Sequence, residues 1–529
     1  MKNKMFICLL LAIAFTFNKC KKEDFNLTDP SAIAVTQFYK TPADAEKAII
    51  AVYDGFSTAN FGFRQGKNVA DELVFAWNGD ADPFDLFQSS PQTPWVTDTW
   101  RYNYYTIADA NVALEKIPGI TFTDAARKAG LIAQAKFFRA WSYFDLVLWY
   151  GGVPLVTQTA DPAKPETLAP KRATVAEVYA QIEKDLTEAI ADLPTYWTGT
   201  DVGRISRGSA LGVLGQVYLY QKNWAQAKAT FETLMALSPV NQPGIDHYGL
   251  LPNFGDNFQL TTDNKWGMEA VFQVNYTNKV AVANMWSGGG NGVIDKFLGW
   301  GWGTPNWYAV SVFENRDTVR LKASMLMAYK VISPGDTVGD RQMNPTKPWS
   351  KVSERELYMG KYVIHDAPTD WGHWDGTSPS EGINVNFIRY ADVLLMYAEA
   401  VNELNAQTTA ISYLNMVRAR AKLPSYPGYT YSQSYAGTNV QGTGTQADVR
   451  AAIKHERMVE LYWENVHFWD LIRWDDAQAA FKAANDFETL HNSTHLLQNF
   501  VKGKSELLPI PDSEKKLNPN MKDETNPAG

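Results

Sequence analysis

The chain has only two cysteines, Cys8 and Cys20, and both fall within the first twenty of its 529 residues. The body of the protein can therefore hold neither a disulfide framework nor a cysteine-ligated zinc site. It also lacks an excess of basic charge. Against 57 Asp and Glu stand 49 Lys and Arg, for a formal net charge of −8. A mildly acidic chain is poorly suited to gripping a phosphate backbone, so no nucleic acid partner is expected. Beyond the N-terminus no run of apolar residues is long enough for a spanning helix. Several catalytic and metal signatures are missing too. Gly288–Gly292 is not followed by Gly-Lys-Ser/Thr, and no G-x-S-x-G elbow occurs. His491 and His495 lack the intervening Glu of a metalloprotease helix. Asp80, Asp82 and Asp85 lack the spacing and closing Glu of an EF-hand. No metal or cofactor is expected.

What the chain does have is aromatic rings: 18 Trp, 25 Tyr and 26 Phe. Such rings build cores, and they also serve as stacking plates with a polar edge. Hydrophobic residues make up 45% and charged residues 20%, which is the composition of a globular protein with a large core.

The N-terminus reads as an address. Lys2 and Lys4 precede the apolar run Met5–Phe17, the pattern of a secretory signal too short to span a bilayer. Cys20 follows at once, which points to a lipoprotein cleaved before Cys20 and lipidated on it. The competing reading is a soluble secreted protein with an incidental cysteine. Asn18-Lys19 stands where a lipobox has small residues, which bears on cleavage efficiency. Removing residues 1–19 takes away Lys2, Lys4 and Lys19 and no acid, so the charge moves from −8 to −11. Residues 20–40 would then be a tether ahead of one domain, 41–529.

Helical periodicity covers Ala43–Phe56, Asp98–Lys116, Asp124–Trp149, Thr174–Leu193, Ser206–Gln221, Trp224–Leu237, Phe387–Leu404, Thr409–Ala421 and Asp448–Trp474. Pro42 sits at a first helical position, and Thr123 and Thr174 stand where N-caps belong. Strand signals are confined to Ala270–Tyr276 and Tyr358–His365. Residues 211–239 fit a tetratricopeptide unit: Leu214, Gly215 and Tyr218 on a first helix, Ala227 and Phe231 on a second, then Pro239. Small Gly215 and Ala227 let the helices approach, and Tyr218 and Phe231 fill the gaps beside them. In 387–421, Ala398, Ala410 and Leu414 repeat the spacing of Gly215, Ala227 and Phe231, with Pro424 closing late. Pairing 43–56 with 98–116 and 124–149 with 174–193 completes four helix pairs. The expected fold is all-α, a tetratricopeptide scaffold carrying long irregular loops with minor β. The loop-rich insertion is 239–386, and a C-terminal helix and tail occupy 448–529.

Several motifs then resemble one family. Cys20 is followed by the charged run Lys21-Lys22-Glu23-Asp24. Asp29-Pro30 and Phe38-Tyr39 precede a Thr-x-x-Asp-Ala helix start at Thr41–Ala45. Arg389-Tyr390-Ala391-Asp392 continues through Leu394, Leu395, Tyr397 and Ala398-Glu399-Ala400. Glu456-Arg457, Glu460, Glu464, Phe468-Trp469-Asp470-Leu471 and Arg473-Trp474 form a second block, and Leu508-Pro509-Ile510-Pro511 with Asn518-Pro519-Asn520 a third. Across the mature chain this resembles the SusD/RagB family of outer-membrane nutrient-binding lipoproteins. The resemblance implies an all-α fold of four tetratricopeptide pairs. It also implies a lid on a SusC-like TonB-dependent transporter that captures oligosaccharides, sometimes peptides, at the cell surface, anchored in the membrane by lipid on Cys20. Arg389, Asp392 and Glu399 on one helix, and Arg457, Glu460, Glu464, Asp470 and Arg473 at helical spacings, read as a scaffold ion-pair network rather than as catalytic carboxylates.

A sugar offers an apolar C–H face and a rim of hydroxyls, so its site needs aromatic plates flanked by polar groups. Three loops have that composition. The first, 70–95, holds Asp71, Trp77, Asp80 and Trp95. The second, 286–307, holds Trp286, Asn291, Trp300 and Trp302, the last two within Gly-Trp-Gly-Trp-Gly. The third, 369–375, holds Trp371 and Trp374. The family resemblance directs the ligand to the first two. The expected function is non-catalytic glycan binding and delivery. The alternatives are a peptide-binding lid of the same kind, or a secreted glycoside hydrolase, which would need a carboxylate pair at a set separation.

Overall fold

The computed structural model describes residues 38–60, 87–259, 265–275, 304–327, 357–361, 383–428, 438–490 and 499–521, with the strand residues 73–74, 76–77, 80–81 and 431–435. Its principal helices are α1 (Pro42–Asn60), α2 (Pro94–Lys116), α3 (Ala125–Tyr150), α4 (Val175–Asp192), α5 (Arg207–Tyr220), α6 (Trp224–Met235), α7 (Thr318–Ser324), α8 (Tyr390–Glu403), α9 (Gln407–Arg420), α10 (Gln446–Glu460), α11 (His467–Trp474) and α12 (Ala477–Leu490).

Local chemistry explains where they start. Thr41 and Asp44 cap α1 reciprocally: the Thr41 N–H donates to the Asp44 carboxylate at 2.9 Å, and the Asp44 N–H donates to Thr41 Oγ1 at 3.3 Å. Thr174 and Glu177 do the same for α4. At α3 the cap is Asp124, which accepts from the Arg127 N–H at 2.9 Å, and not Thr123. A carboxylate one residue nearer the helix reaches the orphan donor first.

The helices pack as four pairs, α1 with α2, α3 with α4, α5 with α6, and α8 with α9; the pairs join through α2 on α3, α4 on α5 and α6 on α8. The close approach expected at Gly215 is present: a Cβ there would lie 2.7 Å from Phe231 Cζ. Ala227, Phe231, Ala398, Ala410 and Leu414 are fully buried. The Tyr397 hydroxyl donates to Glu232 at 2.9 Å and links the third pair to the fourth.

Two sequence expectations are corrected. Phe387–Leu404 does not begin as helix. Val385–Arg389 is a strand antiparallel to Ala270–Val274, and Arg389 precedes α8 in extended conformation. Both strands are buried at every position, and a segment buried on both faces carries no clear period to separate strand from helix. Asp448–Trp474 is likewise two helices, α10 and α11. Trp463 and Asn465 adopt φ of 62° between them, a left-handed geometry that ends a helix. Of the expected strand Tyr358–His365, Tyr358 and Met359 belong to a strand Leu357–Met359 that pairs with Met325–Met327, and residues 362–365 lie outside the described residues.

The strand pair closes the base of the insertion. Residues 275–384 leave and return through neighbouring strands, which Gln273 and Asn386 tie together (2.8 Å). Phe272 and Phe387 seat this base in the helices: Trp141 stacks on Phe387 at 5.5 Å and 6°, and Phe56 and Phe137 meet Phe272.

Candidate functional site

The first two tryptophan-bearing loops meet in space. Leu73–Val74 pairs antiparallel with Thr304–Pro305, in the register Leu73↔Pro305 and Val74↔Thr304. Trp77 and Asp80 are register partners in a short antiparallel pair, Ala76–Trp77 with Asp80–Ala81. The intervening residues are Asn78-Gly79, the dipeptide that best suits a two-residue hairpin connection. Trp95 lies in the first turn of α2 and is half-buried. Asp71, Trp286, Asn291, Trp300, Trp302 and the lipidation candidate Cys20 lie outside the described residues, as do the third loop and His491 and His495.

Both loops are anchored where they rejoin the scaffold. At the exit of the first, Phe87 packs among Phe468, Phe481 and Phe500, with centroids 6.3, 5.1 and 5.1 Å away. The Ser90 N–H donates to Thr93 Oγ1 at 2.9 Å just before Trp95. At the exit of the second, Asn306 Oδ1 caps Trp307–Ser311 by accepting from the Ala309 N–H at 2.8 Å. Buried Glu488 on α12 accepts from the Tyr308 N–H at 2.7 Å. Sequence reasoning missed Phe87 and Glu488, because each acts on a partner far away in the chain. Seven tryptophans, at 100, 141, 149, 197, 266, 463 and 469, are core residues. Much of the aromatic excess is therefore packing.

The signature residues form buried ion pairs. Arg389 grips Glu464 at two points, Nε–Oε2 2.6 Å and Nη2–Oε1 2.9 Å, and its Nη1 reaches Glu460 (2.6 Å) and Glu269 (2.9 Å). Arg420 shares Glu269 and Glu460. The insertion contributes Arg320, paired with Asp317 (2.7 Å) and Glu456 (2.5 Å), and Lys361, paired with Glu464 (2.6 Å). Lys361 also lies 4.9 and 4.6 Å from the Phe254 and Phe258 rings. A second cluster joins Arg457 to Asp392 and Asp470 (2.7 Å each), and Arg473 to Asp470 (2.8 Å) and Glu399 (2.5 Å).

Burial and pairing pull these groups in opposite directions. Burial pushes the Glu460 carboxyl up, but Arg420, Arg389 and Arg320 outweigh it and hold it well below the usual range. Glu456 and Asp470 are also held low, against burial, by Arg320 with Arg418 and by Arg457 with Arg473. Burial prevails at Asp392 and Asp317, whose carboxyls are raised. Burial pushes Lys361 down to about 8. Among the described residues one group has metal-ligating chemistry, Glu314, His455 and Glu456. Its carboxylates are taken by Arg418 (2.7 and 2.8 Å), and Glu456 also by Arg320. Arginines already supply the positive charge that a cation would bring. The signature acids are thus engaged by cations and closed from solvent, which makes them scaffold rather than acid–base machinery.

Among the described residues no helix is long and apolar enough to cross a membrane. Residues 268–528 match a family model described as SusD family, and residues 56–219 match one described as starch-binding associating with outer membrane. SusD-like protein P38 of Formosa agariphila is 26% identical over 501 residues, 90% of this chain and 92% of its own. A laminarin-binding SusD-like protein of known structure is 26% identical with a TM-score of 0.68, over 91% of this chain and 98% of its own. A SusD homologue from Bacteroides thetaiotaomicron has a TM-score of 0.73 at 24% identity, over 91% and 96% of the two chains. The helix pairs, the signature ion pairs and these matches lead to one conclusion: the chain belongs to the SusD-like family.

Proposed function

We propose that this protein is a cell-surface lipoprotein of the outer membrane, anchored through Cys20, that binds an oligo- or polysaccharide without catalysis and delivers it to a SusC-like TonB-dependent transporter. The observation that carries the reading is the pairing of Leu73–Val74 with Thr304–Pro305. It joins the two tryptophan-bearing stretches of chain, and Trp95, at the end of the first, stands half-buried in the first turn of α2. Plates converging from loops on a rigid scaffold suit a sugar chain. The 26% identical relative that binds laminarin makes a neutral glucan the first ligand to try. The family description of association with the outer membrane supports the location. Stacking on two or three rings with wet hydrogen bonds corresponds to micromolar to millimolar affinity, roughly −4 to −8 kcal/mol.

The test is migration of the mature chain, begun at Lys21, through native gels containing laminarin, other plant and fungal polysaccharides, or host glycans. Retardation by one polymer with no reducing sugar released is the expected result. Released sugar overturns the non-catalytic reading. Free migration in every polymer overturns polysaccharide binding and moves the ligand to short oligosaccharides or peptides.

A further inference from the structure

A groove of about 380 Å³ opens between α1 and α2. Asp54 and Gly55 line it from α1; Tyr102, Tyr105, Ala108 and Asp109 line it from α2. The α2 residues recur at three and four positions, so they form one stripe of that helix. Tyr105 is 55% exposed, which leaves a ring face open to the groove. Its orientation is supported: the Tyr102 ring meets it edge-on, with centroids 6.0 Å apart at 80°. Tyr102 is held in turn by Arg101, whose guanidinium lies 4.7 Å from the ring and donates to the hydroxyl at 3.1 Å.

The floor is acidic. At Gly55 the two helices approach closely: a Cβ there would stand 3.2 Å from Asp109 Oδ2 and 3.3 Å from Thr106 Oγ1. Among the described residues no cation pairs with Asp54 or Asp109. Burial and the neighbouring Asp54 push the Asp109 carboxyl above its ordinary range. Two carboxylates facing one groove need hydrogen-bond donors, and vicinal hydroxyls are donors of suitable spacing and no charge. An anionic sugar would be repelled. The volume falls at the small end of ligand sites, roughly 300–1,000 Å³, which suits a sugar ring with its water.

We propose that this groove is a second saccharide subsite, which stacks one neutral pyranose on Tyr105 and takes its hydroxyls on Asp54 and Asp109. It rests on the reading of the chain as a glycan binder. A polymer held at the loops would meet it as a second, weaker hold, and two linked contacts raise retention without strengthening either.

The mature chain from Lys21 has no cysteine, so Ala108→Cys gives one labelling position at the exposed rim of the groove. An environment-sensitive dye there is titrated with laminarihexaose, cellohexaose, maltohexaose and mannohexaose, with trigalacturonate as the anionic control. Unlabelled Tyr105→Ala is run beside wild type in the polysaccharide gels, so that obstruction by the dye is not mistaken for absence of a site. The expected result is a saturable emission change with at least one neutral hexaose and none with trigalacturonate. Tyr105→Ala weakens that response at least tenfold, and Tyr105→Phe keeps it. In the gels, Tyr105→Ala lowers polymer retention at least twofold. A silent dye together with unchanged retention of Tyr105→Ala overturns the subsite and leaves the loop site standing. A dye response indifferent to Tyr105→Ala also overturns it. A silent dye on a chain that no saccharide retards overturns both readings.

Discussion

Arg389 and Glu464 meet at two points inside the protein, Nε to Oε2 at 2.6 Å and Nη2 to Oε1 at 2.9 Å, with side chains 1% and 4% exposed. Arg389 ends the strand that closes the insertion, and Glu464 lies between α10 and α11. The pair therefore joins the base of the insertion to the C-terminal signature. A planar fork matched to a carboxylate is geometry that lysine cannot supply.

Arg389→Met leaves Glu464, Glu460 and Glu269 buried with less countercharge. The expected cost is about 3–5 kcal/mol, the penalty for breaking a buried pair from one side. A lower urea midpoint measures it. Arg389→Lys recovers only part of the loss, since one ammonium cannot satisfy both Glu464 oxygens and Glu460 together. Full recovery by lysine would show that charge alone matters at this position.

Acid sensitivity follows from the same cluster. Glu460, Glu456 and Asp470 have folded values below their unfolded ones. Their stabilisation is complete above the unfolded value, 4.5 for Glu460, and is lost as pH falls toward the folded value. Asp317 and Asp392 are raised and act in the opposite sense, which blunts the effect. Burial also holds His455 below its ordinary value of 6.5, so the thermal midpoint is expected to decline gently below about pH 6.5 and to fall steeply below about 4.5. Glu460→Gln lowers the midpoint at pH 7 and makes the acid limb shallower. An acid limb as steep in Glu460→Gln as in wild type would assign it to other groups.

How much of this was legible in the sequence depended on whether a pattern was local. Thr174, and Gly215 with Phe231, announce a cap and a helix contact within a few turns, and both are found. The recurrence of Arg457, Glu460, Glu464, Asp470 and Arg473 announced ion pairs, and all five are in them. Val385–Arg389 misled because it is buried on every side, and Trp463 and Asn465 because the helical spacing of Arg457, Glu460 and Glu464 runs on into a left-handed turn. The pairing of Val74 with Thr304, like the contact of Glu488 with Tyr308, joins segments far apart in sequence and leaves no periodic trace. Of the site residues, Trp77 and Asp80 are positioned by their own short strand pair and Trp95 by α2, and the indole plates of the second loop rest on composition alone.

The helix approach at Gly215 can be tested by filling it. Gly215→Ala gains about 1 kcal/mol of helix propensity, yet its methyl would meet the Phe231 ring. Overpacking of this kind costs about 1–3 kcal/mol, so the thermal midpoint should fall. Phe231→Leu in the Gly215→Ala chain should recover part of the loss, because a smaller side chain readmits the methyl. Additive losses in the double variant would mean that the two residues do not share the gap.

Glycan capture should depend on indoles and not on the signature acids. Trp300→Ala with Trp302→Ala removes two plates flanked by Gly299, Gly301 and Gly303, and retention in the binding polymer's gel should disappear. Each lost stacking contact is of the size of other ring stacking, about 0.5–1.5 kcal/mol beyond area. Two such contacts, with the area they cover, suffice to abolish an affinity that begins in the micromolar to millimolar range. Trp95→Ala should weaken retention less, since part of that ring is already buried against the scaffold. The thermal midpoint of the double variant should match wild type, because rings flanked by glycines get little packing support from their neighbours in the chain. Unchanged retention would move the principal plates to the loop of Trp371 and Trp374. A midpoint that falls with retention would instead mark Trp300 and Trp302 as core residues.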